Sequence, residues 1–318
     1  MNQEAGIKLY SDVTVEDIKW LWYPYIPYGK ITLVQGDPGS GKSTFVLNII
    51  ANLTMGRQPY SNKELPFPKR VIYQCSEDGI SDTIKPRLLR AGADCSMVAF
   101  IEEDDTTLTL NDEKLREAIE SFKADVLVID PIQAYIGSDS DLMVAGKARK
   151  LMRKLGAWAA QYNCAIILVG HMNKKEGSKD LYRGMGSIDM VAAARSVLHI
   201  EVEDDVRKVH QIKNSLAQKG ADVQYQIGAD NWFHWIKSEE DNLQKQNAVI
   251  TDDGASKHEN IITIIVNELK NGDKKAEDMN AIFTSLGFAE RTVKRAKTEI
   301  GVRSYRKEGH WYWTLNKK

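Results

Sequence analysis

The sequence predicts an α/β chain: a doubly wound, mainly parallel sheet with a C-terminal antiparallel extension, then a small unit of three helices and a hairpin. Three observations predict it. Short apolar runs without polar alternation recur between residues 31 and 170. Longer amphipathic stretches separate them, the rhythm of crossover units with helices on both sides of a sheet. After Ala194 the rhythm changes to strand-like runs at hairpin spacing.

The elements follow in order. ITLVQG (31–36), RVIYQCS (70–76), DVLVID (125–130) and CAIILVG (164–170) are β-rich and continuously apolar, as strands covered on both faces should be. Asn111 is expected to cap NDEKLREAIESF, with Asp112 and Glu113 in the first turn and Leu115, Ile119 and Phe122 on one face. Leu151, Leu155, Trp158 and Tyr162 form a second helical stripe. SVLHIEVE, RKVHQIKNS, VQYQIGA and NWFHWI are expected as antiparallel strands extending the sheet. Residues 237–259 are polar without a periodic apolar face and read as a linker, placing one domain over 1–236 and another over 260–318.

Composition bounds the function classes. The 318 residues are 42% hydrophobic and 27% charged with net charge −1, an ordinary globular balance, so any nucleic-acid partner must be read from local charge. No apolar run approaches the length of a membrane span, and no membrane partner is expected. The start, MNQEAGIKLYSDVTVEDIKW, lacks the basic and apolar regions of a secretory leader. Three widely spaced cysteines, Cys75, Cys95 and Cys164, argue against a disulfide framework or a cysteine zinc site and fit a reducing, cytoplasmic setting.

The most specific segment is Gly36-Asp37-Pro38-Gly39-Ser40-Gly41-Lys42-Ser43, which follows an apolar run and opens a helix with Thr44 next. Its glycines let backbone N–H groups wrap a phosphate, and the helix N-terminus adds its positive end. Lys42 suits the β- and γ-phosphates and the Ser43 hydroxyl suits Mg²⁺. The pattern implies a nucleotide-binding loop taking ATP with Mg²⁺. Asp130 closes VLVID, where a carboxylate would complete the Mg²⁺ shell. Pro131 follows it, so a water-activating base must come from elsewhere, and Glu77, after VIYQCS, is the candidate with Asp78 its competitor. His171 ends CAIILVG, where a polar group can sense the γ-phosphate.

The ordered set GDPGSGKS, SED after the second strand, VLVIDP and LVGH resembles the RecA-type ATPases, nearest the hexameric replicative helicases of the DnaB/RepA group. The lead-in WLWYPYIPYGKITLVQG, with Pro27, Gly29 and Lys30, strengthens the likeness, which covers about residues 18–236. It implies a RecA-like fold, ATP sites between subunits of a ring hexamer, catalytic roles for Lys42, Ser43, Glu77 and Asp130, and γ-phosphate sensing by His171. Segment 172–189 matches in position the loop that touches DNA in such rings, and it carries Lys174, Lys175, Lys179 and Arg183 among glycines, suited to single-strand contact. In QIKNS, where this group often carries Lys-x-Arg fingers acting on a neighbour's ATP, Lys213 fits but no arginine follows, leaving Arg207 and Arg195 as rivals.

The C-terminal segment reads as three short helices and a hairpin with Gly309 at its tip, similar to a winged helix-turn-helix. From Arg291 to Lys318 there are nine Lys/Arg against two Glu. Arg291, Lys294, Arg295 and Lys297 sit on the third helix, the one such folds place in the major groove of duplex DNA. Trp311 and Trp313 share a strand face and are expected in the core. The expected function is a Mg²⁺-dependent ATPase acting on DNA as a RepA-like replicative helicase. The alternative is a nucleotide-switched DNA-binding or recombination-accessory ATPase of the RecA/RadA/KaiC kind that does not unwind.

Overall fold

The computed structural model describes residues 9–61, 63–103, 108–137, 145–171, 188–228, 232–237, 257–270, 272–285, 288–307 and 309–315. A short hairpin, β1 (Trp20–Trp22) and β2 (Ile26–Pro27), leads into β3 (Ile31–Gly36). There follow α1 (Lys42–Thr54), β4 (Val71–Cys75), a π-helical turn (Ile80–Ile84) running into α2 (Lys85–Arg90), β5 (Val98–Ala99), α3 (Glu113–Phe122) and β6 (Val126–Asp130). The second half of the sheet adds α4 (Ala145–Tyr162), β7 (Ala165–His171), α5 (Ile188–Ala193), β8 (Ser196–Glu203), β9 (Val206–Asn214), β10 (Val223–Ile227) and β11 (Phe233–Ile236).

Nine strands form one sheet in the order β11-β10-β9-β8-β3-β7-β6-β4-β5. The six strands from β8 to β5 run parallel, and β9, β10 and β11 extend the sheet antiparallel. This is the RecA-like doubly wound architecture with its antiparallel extension. One expectation is corrected: β8 is parallel to β3, because the chain is back beside the start of β3 when β8 begins, with the Arg195 N–H donating to the Ile31 carbonyl at 3.0 Å. The continuous apolar runs have their predicted cause. Alternate residues of β3, β6 and β7 feed two cores, one around α1 with Phe45, Ile49 and Leu53, the other around α3 and α4 with Leu115, Ile119, Leu155 and Trp158. Burial of this apolar surface is the main favourable term in folding.

Two local features depart from simple pattern. Asp112, not Asn111, is the N-cap residue of α3. Its carboxylate accepts a 2.6 Å bond from the Thr109 N–H, which shifts the cap by one, while Asn111 holds Lys154 Nζ through its carbonyl at 2.6 Å and its side chain at 3.1 Å. Between β8 and β9, Val197 faces Lys213 and Leu198 faces Gln211, so Ile212 is an extra, bulged residue.

The C-terminal segment contains α6 (Lys257–Leu269), β12 (Lys274–Lys275), α7 (Ala276–Ser285), α8 (Glu290–Glu299), β13 (Val302–Lys307) and β14 (His310–Leu315). The strands form a sheet in the order β12-β14-β13, and Gly309 takes a positive φ of 84° in the connecting turn. Ile261, Ile265, Met279, Phe283, Val293 and Trp313 make its core, a winged-helix-like arrangement. Trp313 is buried as expected, but Trp311 is 55% exposed. Helix α6 begins at Lys257, within the stretch read as linker, and residues 238–256 lie outside the described residues. Among the described residues no helix is long and apolar enough to cross a membrane.

Candidate nucleotide site

The site lies at the C-terminal ends of β3, β4, β6 and β7, where a doubly wound sheet opens its crevice. The loop from Gly36 to Gly41 joins β3 to α1. Gly36 must be glycine, since a Cβ there would come 2.6 Å from the Ile200 carbonyl and 2.8 Å from Ser40 Oγ. Gly41 caps α1 in the left-handed region at φ 88°. Lys42 Nζ donates to the carbonyls of Gly36 at 3.0 Å and Asp37 at 2.7 Å. Burial holds its pKa below the ordinary lysine value, against the pull of Asp130, Asp37 and Glu77.

Asp130 is buried at the end of β6 and accepts a 2.8 Å bond from the Tyr73 hydroxyl of β4. Burial pushes its pKa up, and hydrogen bonds from Ser43 and Tyr73 pull it back. Ser43 and Asp130, the two residues assigned to the metal by sequence, are therefore together. Glu77 is exposed after β4, with Oε1 3.6 Å from His171 Nε2 at the end of β7. His171 Nδ1 is buried without a hydrogen-bond partner among the described residues, and Gln133 Nε2 donates to the His171 carbonyl at 3.2 Å. Asp78, the competitor of Glu77, is engaged by Arg87 at 2.7 Å.

The residues present fit a magnesium nucleoside triphosphate. The loop is open at Gly39, where a Cβ would meet nothing within 4 Å, next to the first turn of α1, whose N–H groups a helix leaves without intrahelical partners. Among the described residues Ser40 Oγ is buried without a hydrogen-bond partner, and Lys42 donates to carbonyls of its own loop. Gly36 to Thr44 would hold the phosphates, and Ser43 with Asp130 would hold Mg²⁺.

The remaining candidates separate by position. Arg207 lies against its own chain's loop: its Nε is 3.4 Å from where a Gly41 Cβ would stand, and its Nη1 donates to the Asp205 carbonyl at 2.7 Å. Lys213 is near the opposite rim of the sheet, donating to the Val191 and Ala192 carbonyls of α5, each at 2.8 Å. Arg195, just before β8, is at that rim too. Lys174, Lys175, Lys179 and Arg183 lie outside the described residues. On α8, Arg291, Lys294 and Arg295 are exposed, whereas Lys297 packs 4.1 Å from the Trp313 ring centroid and donates to Ser304 Oγ at 2.6 Å.

Two residues of the site are missed by motif reasoning. Tyr73 is one. Tyr225 of β10 is the other, donating to the Gly41 carbonyl at 3.1 Å while its ring stacks on Phe45 and Phe233 at 5.6 and 4.6 Å. Both sit in runs that read only as strands, and a buried phenol's need for an acceptor was the available signal.

The AAA domain family matches residues 10–177. The DNA repair protein RadA of Listeria monocytogenes is 32% identical over 150 residues, 46% of this chain and 29% of that protein. The RadA of Mycolicibacterium smegmatis is 28% identical over 194 residues, 58% of this chain and 36% of that protein. The chain thus spans about a third of the length of these relatives. The KaiC-like protein PH0186 of Pyrococcus horikoshii OT3 superposes with a TM-score of 0.49 at 17% identity, over 67% of this chain and 91% of that one. The family match takes in the phosphate loop, Glu77, Asp130 and His171; the chain belongs to the AAA domain family of P-loop ATPases.

Proposed function

We propose that this protein is a Mg²⁺-dependent ATPase of the RecA/RadA/KaiC kind that works with DNA as a nucleotide-switched or recombination-accessory protein. The observation that carries the reading is the phosphate loop with a buried Lys42 and a buried Asp130 within reach of Ser43. When bound, Mg²⁺ supplies charge neutralisation for the phosphate oxygens. Lys42 exchanges its loop carbonyls for phosphate oxygens, and Glu77 takes a proton from the attacking water. His171, beside Glu77, relays the occupancy of the site to the segment that follows it.

The DNA part of the reading rests on the RadA relatives, described as DNA repair proteins, and on the cations of residues 172–189 and α8. Strand unwinding by a hexamer, the DnaB/RepA-like alternative, has less support, since the relatives named above carry the RadA description. The division into an ATPase domain over 1–236 and a DNA-contacting tail over 260–318, joined by a linker, is part of the same proposal.

The direct test is steady-state hydrolysis with and without single-stranded and duplex DNA, beside a strand-displacement assay on a forked substrate. Lys42→Ala should lower turnover by roughly 10²–10³-fold, the usual cost of losing one preorganised charge. It should leave the empty fold intact, since the charged lysine is already penalised by burial. Turnover near the wild-type rate would sink the assignment, and efficient displacement would restore the helicase reading.

A further inference from the structure

The tail sheet has two faces with different chemistry. Val302, Ser304 and Arg306 alternate with Arg303, Tyr305 and Lys307 along β13, and their partners on β14 are fixed by register. Trp313 and Val302 are on the inner face, where α8 places Lys297 over the Trp313 ring. The outer face presents a row that crosses the sheet: Lys275 opposite Tyr312, and Tyr312 opposite Tyr305. The two tyrosine rings stack, with centroids 5.8 Å apart and planes 23° from parallel.

Tyr305 stands on the edge strand of this sheet at 36% exposure, so the stack ends in an open ring. Arg303 and Lys307, its neighbours at i−2 and i+2, are exposed on the same face. Asp273 meets this row and is occupied by the Tyr305 hydroxyl at 2.6 Å, and Glu277 stands 3.8 Å from His310 on the same face. The bond to Asp273 fixes the Tyr305 ring's orientation.

From this arrangement we infer that the outer face of the β12-β14-β13 sheet is a binding platform for single-stranded nucleic acid. An unstacked base extends the Tyr312–Tyr305 stack while Arg303, Lys307 and Lys275 meet the phosphates on either side. The occupant is a single strand, because a base held within a duplex offers no free face to a tyrosine. Among the described residues the charge is complementary, with Arg303, Lys307 and Lys275 against two acids that are both engaged, Asp273 by Tyr305 and Glu277 by His310. The surface is distinct from α8, whose exposed Arg291, Lys294 and Arg295 lie on the helix across the sheet. The inference rests on the reading that the chain works with DNA, and it gives the tail a strand preference that reading does not contain.

The test is fluorescence anisotropy of the full chain with labelled single-stranded DNA, single-stranded RNA and a duplex of equal length. Tyr305→Ala should weaken single-strand binding by roughly tenfold, the scale of one lost base stack, with about twofold change or less for duplex. Tyr305→Phe keeps the ring and should stay near wild type. Arg303→Ala with Lys307→Ala, both at exposed positions that the fold does not need, should flatten the logarithmic salt slope by about 1.4, from roughly 0.7 for each single-strand phosphate contact. Lys294→Ala with Arg295→Ala should show the opposite preference, losing duplex first. If folded Tyr305→Ala and the Arg303/Lys307 variant bind single strands like wild type while the α8 variant loses them, this inference fails and the DNA reading stands. Failure of the wild-type chain to bind any strand would overturn both.

Discussion

Asp130 is a carboxylate kept from water at the end of a central strand, and two hydrogen bonds decide how readily it ionises there. Tyr73→Phe removes one donor that favours the charged form, so the pKa of Asp130 should rise further. The acidic limb of the kcat/KM profile should then move to higher pH, with turnover restored on the alkaline side. A pH–rate series on both proteins checks this, and an unmoved limb would remove Asp130 or Tyr73 from the mechanism. Glu77→Gln should bind Mg·ATP with little change yet lose roughly 10²–10⁴-fold in single-turnover hydrolysis, since an amide cannot take the proton of water. Lost affinity with normal chemistry would contradict that role. The residues legible in sequence are those whose partners are near in the chain, as in the run Gly36 to Ser43. Tyr73 meets Asp130 across a separation of 57 residues, and only the order of strands in the sheet brings them side by side.

At the scale of elements, the antiparallel extension is fastened to α1 by rings. Phe45 is fully buried, with Tyr225 at 5.6 Å, Trp235 at 5.9 Å and Trp22 at 6.3 Å. Phe45→Ala should cost about 3–5 kcal/mol, the usual range for emptying a buried aromatic site. Urea denaturation measures the loss, and nucleotide affinity should fall with it because Tyr225 would no longer be stacked where it holds the Gly41 carbonyl. A cost below about 1 kcal/mol would mean the cluster tolerates collapse. Apolar runs announced β3, β4, β6 and β7 because burial on both faces leaves no polar positions. Direction is another matter. Alternation carries no sign for parallel or antiparallel, so β8 was legible as a strand but not as a neighbour parallel to β3. The β1–β2 hairpin was hidden for a different reason: its aromatic residues read as lead-in, yet Leu21, Trp22 and Ile26 are core.

At the scale of the molecule, Arg207 and Lys213 stand toward opposite rims of one sheet, with the phosphate loop at Arg207. We propose that Lys213, so placed, acts on a triphosphate of another copy, in a head-to-tail contact of the kind that closes into rings. Hydrolysis per chain should therefore rise with protein concentration. Mixing Lys42→Ala with folded Lys213→Ala should recover part of the activity both lack, through contacts that pair an intact loop with an intact lysine. A fully active monomer, shown by light scattering during turnover, would exclude this.

The bulge at Ile212 has a consequence of parity. Side chains of a regular strand alternate, so Arg207 and Lys213, six positions apart, would point to the same side of the sheet. Inserting Ile212 changes the count by one. Gln211 therefore stays with Leu198 above the α1 core, while Lys213 shares Val197's side and reaches α5. One strand thereby serves both layers, and excising Ile212 alone should leave Lys213 opposite Val197 and still on the α5 side, since the ladder then runs Leu198–Gln211 and Val197–Lys213 without interruption.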